Sequence, residues 1–283
     1  MTSLGKGPVM IKSARYQLDD SIDRLLIVSD IHGFVRPLEV FDALHDAMGG
    51  RSQIVFNGDM CNPGLWPAEA MQWIRRNAGE LAVLGNHDED VLQGAAAGSE
   101  GDHLHFTEAG ADQRFSDEAR DYLRRLRNRL VLSWRSKRIV LMHGHINADD
   151  KAVSWRASPE EQCAHFVESD ADLCIMSHTH YAYVRQHAGT ICANTGSMSL
   201  PFVGVQDEHG LHLHSGKAEI GPDDDVRCSF LVVTAPDGEL QVEIVRFDCD
   251  RQAELQDHLQ TSSPLPDKLT KELLAMCSGI WKV

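Results

Sequence analysis

The chain has 283 residues, of which 42% are hydrophobic, and this composition excludes a disordered chain and allows a large packed core. The formal net charge of −15 disfavours the broad basic surface that binding to long nucleic acids requires. No apolar run reaches the roughly 18 residues of a membrane span, and the first segment, MTSLGKGPVM, lacks the pattern of a signal peptide. We therefore expect a cytoplasmic protein without a membrane partner.

Short apolar runs separated by helical patterns dominate the first two thirds of the chain. The runs that predict buried strands are 25–28, 54–56, 81–84, 138–142, 172–176 and 190–193. Apolar residues at helical spacing predict helices over 37–48 and 66–76. A proline stands at the first position of the one segment and at the second position of the other, as is common where helices begin. This alternation of strands and helices is typical of βαβ units.

The remaining segments predict one more helix and two hairpins. The stretch 116–130 has a helical pattern that Ser116 can cap, and 183–194 and 227–248 read as hairpins, the second turning at PDG. A mostly parallel first half and a hairpin-rich second half suggest two packed sheets. Residues 204–224 carry little strand or helix signal beyond an LHLH alternation, and the tail contains one predicted helix, LPDKLTKELLAMCSGIW. Because we find no repeat or linker, we predict a single domain over 1–283.

The seven cysteines are odd in number, scattered, and never arranged as CxxC. This pattern favours reduced thiols that act as small core residues over a disulfide framework or a thiolate metal site.

Polar residues follow the six apolar runs at the point where each run ends. In chain order these endings read SDIHG, NGDM, GNHDED, HGHI, SHTHY and NTGS. In open α/β sheets the ligand crevice lies beyond the carboxyl ends of the strands, so side chains from separate strands can converge there. Such convergence is what a metal site requires.

The residue types in these endings indicate a metal centre with nitrogen and oxygen ligands. The predicted ligands are Asp30, His32, Asp59, Asn86, His143, His178 and His180. Carboxylate, amide and imidazole ligands without thiolate suit Mn, Fe, Zn, Co or Ni. Seven ligands are too many for one ordinary ion and enough for two ions that share a bridging carboxylate.

In the order and spacing of these motifs the chain resembles the calcineurin-like metallophosphoesterases, whose pattern is DxH, GD, GNH(D/E), H and GHxH. The match runs through DIH at 30–32, GD at 58–59, GNHD at 85–88, His143 and HTH at 178–180. Within that superfamily NTGSMSLP at 194–201 looks like the ending found in the small bacterial phosphodiesterase branch. The resemblance covers roughly residues 25–250 and leaves 251–283 as a helical tail.

The resemblance implies an α/β fold, a four-layer α/β/β/α sandwich of two mixed β-sheets flanked by helices. It further implies that one metal is held by Asp30, His32, Asp59 and His180, and the other by Asp59, Asn86, His143 and His178. A hydroxide that bridges the two ions would attack phosphorus, while His87 protonates or stabilises the departing oxygen.

The sequence departs from the family pattern at two places. Protein phosphatases of the superfamily read GDxxDRG, whereas this chain reads GDMCNPG, which weakens the protein-phosphatase interpretation. Asn62 in this stretch could accept a hydrogen bond from His87. Ser177 replaces the usual Gly before HTH, which a serine tolerates unless the position needs a positive φ. The roles of Asp88 and His145, each a second-sphere or substrate-contacting candidate, remain open.

These observations predict a metal-dependent phosphodiesterase that acts on small or nucleotide-like substrates. One alternative is a phosphomonoesterase, including a protein or nucleotide phosphatase, with the same two-metal site. Another is a non-catalytic scaffold of the same fold, which the complete ligand set disfavours. The acidic charge favours small phosphoester substrates over long nucleic acids, and a homodimer is left open.

Overall fold

The computed structural model describes residues 12–61, 64, 66–93, 116–144, 157–207, 210–214, 216–217, 225–250, 253, 256, 260 and 280–282. The helices are α1 (Arg36–Met48), α2 (Pro67–Asn77), α3 (Asn86–Gln93), α4 (Asp117–Arg125) and α5 (Pro159–Phe166). The strands are β1 (Ser13–Gln17), β2 (Arg24–Val28), β3 (Ser52–Asn57), β4 (Ala82–Val83), β5 (Arg129–Trp134), β6 (Lys137–Met142), β7 (Leu173–Met176), β8 (Tyr183–His187), β9 (Thr190–Asn194), β10 (Val203–Asp207), β11 (Gly210–His214), β12 (Gly216–Lys217), β13 (Asp225–Val226), β14 (Cys228–Thr234), β15 (Gln241–Phe247) and β16 (Ile280–Lys282).

Two large sheets form the centre of the fold. The first has the order β15-β14-β2-β3-β4, with β2, β3 and β4 parallel and β14 antiparallel to β2. The second has the order β1-β5-β6-β7-β9-β8, in which β6, β7 and β9 run parallel and β5 and β8 run antiparallel to their neighbours β6 and β9. Both sheets are therefore mixed, as the predicted fold class requires.

The strands alternate their side chains between two cores, which shows how the layers stack. Leu26 and Phe56 of the first sheet pack in one core with Phe41 of α1. Their neighbours Leu25 and Val55 belong to a second core, shared with strands of the second sheet. The first sheet thus lies between helices and the second sheet.

The second sheet alternates in the same way. Leu141 of β6 faces the first sheet, whereas Val140 packs in a third core with Phe166 of α5. Three cores separate four layers, helix, sheet, sheet and helix, so the predicted α/β/β/α sandwich is confirmed.

Local sequence signals account for the helix starts. Pro37 and Pro67 occupy the first turns of α1 and α2, where a missing N–H costs nothing. The predicted cap of α4 is confirmed, because the Ser116 hydroxyl accepts a hydrogen bond from the N–H group of Ala119. None of the helices that the structure describes is long and apolar enough to span a bilayer.

Several predictions of the elements are wrong in detail. The helix predicted over 116–130 ends at Arg125, and Arg129–Trp134 form β5, because its apolar residues fill the core between the sheets. The hairpin of β14 and β15 joins β2 from the first half, so the sheets do not divide along the chain.

The weakly patterned segment and the tail also differ from expectation where the structure describes them. Residues 203–207 and 210–214 form a hairpin, and Ile280–Lys282 add a third strand to it instead of ending a helix. Hydrogen bonds between the strands satisfy the backbone N–H and C=O groups of these residues. The strands can therefore form without an alternating apolar pattern.

The expectation of reduced thiols is wrong for one pair of cysteines. Cys163 of α5 and Cys192 of β9 form a disulfide, because the third core brings their Cα atoms to 6.1 Å across a sequence separation of 29. Cys61 and Cys174 are buried thiols, in agreement with the predicted core role.

Candidate metal centre

The polar endings of the strands meet at one end of the two sheets. Asp30 and His32 follow β2, and Asp59 follows β3, while His143 and His178 follow strands β6 and β7 of the other sheet. The Nε2 atom of His143 lies 3.1 Å from Oδ2 of Asp59, so the two sheets contribute to a common cluster. The carboxyl ends of parallel strands therefore converge as predicted from their order.

One group of possible ligands gathers around Asp30. Nitrogen and oxygen atoms of Asp30, His32 and His180 all lie within 4.8 Å of one another. The Nε2 atoms of His32 and His180 are 3.1 Å apart, and Nε2 of His180 is 3.2 Å from Oδ1 of Asp30.

A second group gathers around Asp59. Ligand atoms of Asp59, His143 and His178 lie within 4.8 Å of one another. Nδ1 of His178 is 3.0 Å from Oδ1 of Asn86, which brings this amide to the same place. Oδ2 of Asp59 is also 3.9 Å from Nε2 of His32, so Asp59 stands between the two groups.

His87 lies beside both groups at the start of α3. Ligand atoms of His32, Asp59 and His87 form a third set within 4.8 Å, and the ring centroids of His87 and His32 are 5.1 Å apart. The backbone N–H of His87 donates to Oδ1 of Asp59 at 3.0 Å. The imidazole predicted to act on the leaving group thus lies beside the predicted metal ligands His32 and Asp59.

Hydrogen bonds on the far side of two imidazoles fix which nitrogen faces the cluster. Nδ1 of His143 donates to the carbonyl of Asn57 at 2.8 Å, and Nδ1 of His180 donates to the carbonyl of Leu200. Both rings consequently present Nε2 to the carboxylates, the orientation that metal-binding histidines adopt when their other nitrogen is held.

The donor set fits divalent metal ions. Oδ1 of Asp30 is buried and has no hydrogen-bond partner among the described residues, although three imidazoles surround it. A buried carboxylate oxygen in this state is compensated by a cation. Imidazole, carboxylate and amide atoms suit Mn, Fe, Zn, Co or Ni. Cys61 is the cysteine nearest in sequence to Asp59. Burial and the charge of Asp88 raise the pKa of its thiol, so the thiol stays uncharged.

The charges of the cluster shift several pKa values. Burial alone would raise the pKa of Asp59, but the imidazoles of His143 and His87 outweigh it and hold this pKa well below its usual range. Burial would lower the pKa of His143, and the carboxylates of Asp59 and Asp30 instead raise it to about 10. The buried carboxylates thus stabilise positive charge placed beside them.

The pKa values of the adjacent residues His87 and Asp88 are shifted in opposite directions. Burial lowers the pKa of His87 to about 4, even though Asp59 opposes this shift. Burial and the charge of Asp59 raise the pKa of Asp88 to about 7. Neutral His87 still carries one ring N–H, which can donate to an oxygen atom.

Backbone strain is concentrated at the cluster. Of the nine non-glycine residues with positive φ that the structure describes, five are predicted ligands, namely Asp30, His32, Asp59, His178 and His180. Such conformations cost about 1–3 kcal/mol each and persist where the surrounding fold imposes them. Strain at these five positions is consistent with a backbone that sets the direction of the ligand side chains.

Two glycines allow the close approach of these loops. A Cβ atom at Gly85 would lie 2.1 Å from Oδ1 of Asp59, and one at Gly58 would lie 2.4 Å from Nδ1 of His143. Gly58 also has a φ of +92°. A larger residue at either position would displace a predicted ligand.

Asp88 lies behind the cluster, where its carboxylate is hydrogen-bonded to backbone N–H groups. Its carboxylate accepts hydrogen bonds from the N–H groups of Asp59, Met60, Cys61 and Gly85 at 3.0 to 3.1 Å. Of its two proposed roles, this geometry favours support of the loop that carries Asp59 over contact with substrate. Asn62 and His145 lie outside the described residues, so the predictions for them stay untested.

Ser177, the departure before HTH, fits its site. Its φ is not positive, and its buried hydroxyl accepts a hydrogen bond from Nδ2 of Asn57 at 2.7 Å. Sequence reasoning missed the contribution of Ser29 and Thr195, whose hydroxyls lie 2.6 Å apart behind Asp30. The only signal was the presence of small polar residues immediately after apolar strands.

Comparison with known proteins agrees with this architecture. Residues 24–215 match the model of the calcineurin-like phosphoesterase superfamily domain. A metallophosphoesterase from Sphaerobacter thermophilus is 21% identical, with a TM-score of 0.60 over 90% of this chain and 99% of that one. A hypothetical protein from Pyrococcus horikoshii OT3 is 16% identical, with a TM-score of 0.65 over 88% of this chain and 97% of that one.

No curated protein sequence matches the chain. At these identities the two solved structures show the fold alone. The domain match covers more than half of the chain and includes Asp30, Asp59 and His180. The chain therefore belongs to the calcineurin-like phosphoesterase superfamily.

Proposed function

We propose that this protein is a metal-dependent phosphodiesterase that hydrolyses small or nucleotide-like phosphodiesters. The observation that carries the proposal is the position of Asp59 between two groups of buried imidazoles and carboxylates. A carboxylate between two such groups is suited to bridge two cations, which fits a two-metal phosphoesterase better than a single structural ion.

The residues divide into two overlapping ligand sets in this proposal. Asp30, His32, Asp59 and His180 would hold one ion, and Asp59, Asn86, His143 and His178 the other. Manganese is the first metal to test, with iron, zinc, nickel and cobalt as alternatives for the same donors. When bound, such ions lower the pKa of water to generate a nucleophile and neutralise charge on the phosphoryl oxygens.

His87 would act on the leaving group. Its ring is beside His32 and Asp59 but is more exposed than either, at the start of a helix that faces the cluster. A neutral ring N–H placed there can donate a hydrogen bond that stabilises the negative charge on the departing oxygen. Asn86, immediately before it, would be a metal ligand, so a single helical turn delivers both functions.

Two features favour a diester over a monoester. The stretch GDMCNPG supplies no arginine that could clamp a dianionic phosphate, and the chain as a whole carries a net charge of −15. A monoester at neutral pH carries close to two negative charges, whereas a diester carries one. The resemblance of 194–201 to the ending of the small phosphodiesterase branch points the same way.

A pair of chromogenic substrates tests this choice. We expect the manganese-loaded protein to hydrolyse bis-p-nitrophenyl phosphate with a higher kcat/KM than p-nitrophenyl phosphate. Asp59→Asn serves as the matched control, because it keeps the size of the side chain and removes its charge. A clear preference for the monoester would favour the phosphatase alternative, and absence of both activities would favour a scaffold.

The acidic charge also bears on partners. We propose that the metal centre recognises the substrate and that the substrates are small. Long polyanions are repelled by the net charge of −15. Hydrolysis of the chromogenic diester should therefore be little inhibited by long DNA at moderate salt. Strong competition by DNA would contradict this, and light scattering on the full chain would show whether it forms a homodimer.

A further inference from the structure

Three buried hydroxyl groups form a chain of hydrogen bonds that ends on Asp30. Oγ of Ser177 lies 2.8 Å from Oγ1 of Thr195, which lies 2.6 Å from Oγ of Ser29. The Ser29 hydroxyl donates to Oδ2 of Asp30, and Nδ2 of Asn57 donates to Ser177 at 2.7 Å. All five residues are at most 1% exposed, so water does not compete for these groups. We call Ser177, Thr195 and Ser29 the hydroxyl relay.

The proton positions in the hydroxyl relay are fixed from both ends. The amide nitrogen of Asn57 also lies 3.1 Å from the carbonyl of Met142, which can only accept, so this atom must be the NH2 group. Ser177 therefore accepts from Asn57 and has its own proton to donate to Thr195.

The other end of the relay is an acceptor. The carboxylate of Asp30 takes the Ser29 proton, so Ser29 must accept from Thr195. Thr195 then donates to Ser29 and accepts from Ser177, which gives one consistent direction. Carbonyl groups at Met176 and Gly196 lie farther from Thr195, at 3.3 and 3.4 Å, and are weaker alternatives.

The relay links strands of both sheets to one carboxylate. Ser29 follows β2, whereas Ser177 follows β7 and Thr195 follows β9. Because the relay occupies Oδ2 of Asp30, the other oxygen, Oδ1, is left facing the imidazoles of His180 and His143. Asp30 is thereby held with one oxygen bonded to the protein and one directed at the cluster.

We propose that Ser177 and Thr195 are positioning residues, which act through Ser29 to fix the Asp30 carboxylate for metal binding. This inference rests on the proposed metal centre and extends it to residues with no contact to the ions. Groups that orient a metal ligand typically contribute 10-fold to 100-fold to metal affinity.

Metal binding to the full chain, stripped by chelator and dialysed, tests the proposal. Thr195→Val keeps the shape of the side chain but removes the hydroxyl, and Ser177→Ala interrupts the relay at a different residue. We expect each to weaken Mn²⁺ binding by about 10-fold or more in calorimetry. Thr195→Ser, which restores the hydroxyl, should regain most of the affinity, and the Co²⁺ absorption spectrum should change only in the interrupted variants.

Ser229→Ala is the matched control. The Ser229 hydroxyl is equally buried and donates to the backbone carbonyl of Thr195 at 2.8 Å, but it lies outside the relay. Its loss should lower the unfolding temperature of the metal-free protein as Thr195→Val does, and leave Mn²⁺ affinity unchanged.

Two results would overturn the relay. One is wild-type Mn²⁺ affinity and Co²⁺ spectrum in a folded Thr195→Val or Ser177→Ala variant, and the other is an equal loss of affinity in Ser229→Ala. The measurement needs no substrate. Normal metal binding without phosphoester hydrolysis in the wild type would therefore contradict the proposed function and leave the relay intact.

Discussion

The carboxylate of Asp88 accepts a hydrogen bond from the backbone N–H of Asp59 at 3.0 Å. The same oxygen accepts from Gly85, and the second oxygen accepts from Met60 and Cys61. One side chain thus holds the loop after β3 against the start of α3. Since Asp59 stands between both groups of ligands, Asp88 fixes the most central residue of the cluster through its backbone.

Asp88→Asn should destabilise the protein and weaken metal binding. An asparagine keeps one acceptor oxygen and places an NH2 group opposite two backbone N–H groups, whichever way it is oriented. We expect a loss of about 2–3 kcal/mol in the free energy of unfolding, measured in urea. Glu89→Gln, at the next position, is the control and should cost less than about 1 kcal/mol. Equal stability of Asp88→Asn and wild type would show that the four N–H groups do not depend on the charge.

Gly85→Ala should disrupt the cluster through a steric clash. The added Cβ would meet Oδ1 and the backbone nitrogen of Asp59 at 2.1 and 2.3 Å. We expect a loss of about 3 kcal/mol in the free energy of unfolding, together with weaker Mn²⁺ binding.

Gly189→Ala supplies the comparison for that prediction. Gly189 has a φ of +88° but nothing within 4 Å of an added Cβ, so only backbone strain of about 1–2 kcal/mol is expected. Its Mn²⁺ affinity should equal that of the wild type. If Gly85→Ala also bound Mn²⁺ normally, the close packing of Gly85 on Asp59 would not matter for the centre.

His87→Gln should lower kcat without loss of metal. His87 is predicted to stabilise the departing oxygen, and removal of one hydrogen-bond donor to a developing negative charge costs about 10²-fold to 10³-fold in kcat. The loss of rate should be smaller for p-nitrophenolate, which is already a stable anion, than for a diester with a more basic leaving group. Calorimetry should show Mn²⁺ affinity close to that of the wild type. An equal loss for both leaving groups would assign His87 a different role.

Much of the fold could be predicted because its strands are buried on both faces. Continuous apolar runs such as 25–28 and 54–56 leave no competing interpretation when prolines and helical patterns separate them. Arg129–Trp134 was missed because this strand follows a helix after a gap of three residues, Leu126, Arg127 and Asn128. The boundary depends on core packing between the sheets, which the local pattern does not contain.

The cluster itself was predicted because each of its residues lies within four residues of the end of an apolar run. Sequence order could not show the contacts that support it, since the Ser29 and Thr195 hydroxyls that meet at 2.6 Å are 166 residues apart. The sequence also could not predict the four backbone N–H groups that bind Asp88. A carboxylate beside His87 could have faced either the metals or the protein interior. Only the packing of two sheets decides between these directions.

Diester hydrolysis can be followed directly while Mn²⁺ is returned to the metal-free protein. We expect no hydrolysis of bis-p-nitrophenyl phosphate without metal, and recovery of the activity as about two equivalents bind. We expect no recovery in a folded Asp59→Asn variant, because both ligand groups share this carboxylate. Full activity in that variant, or in the metal-free wild type, would contradict the central claim that Asp59 joins two metal sites into one catalytic centre.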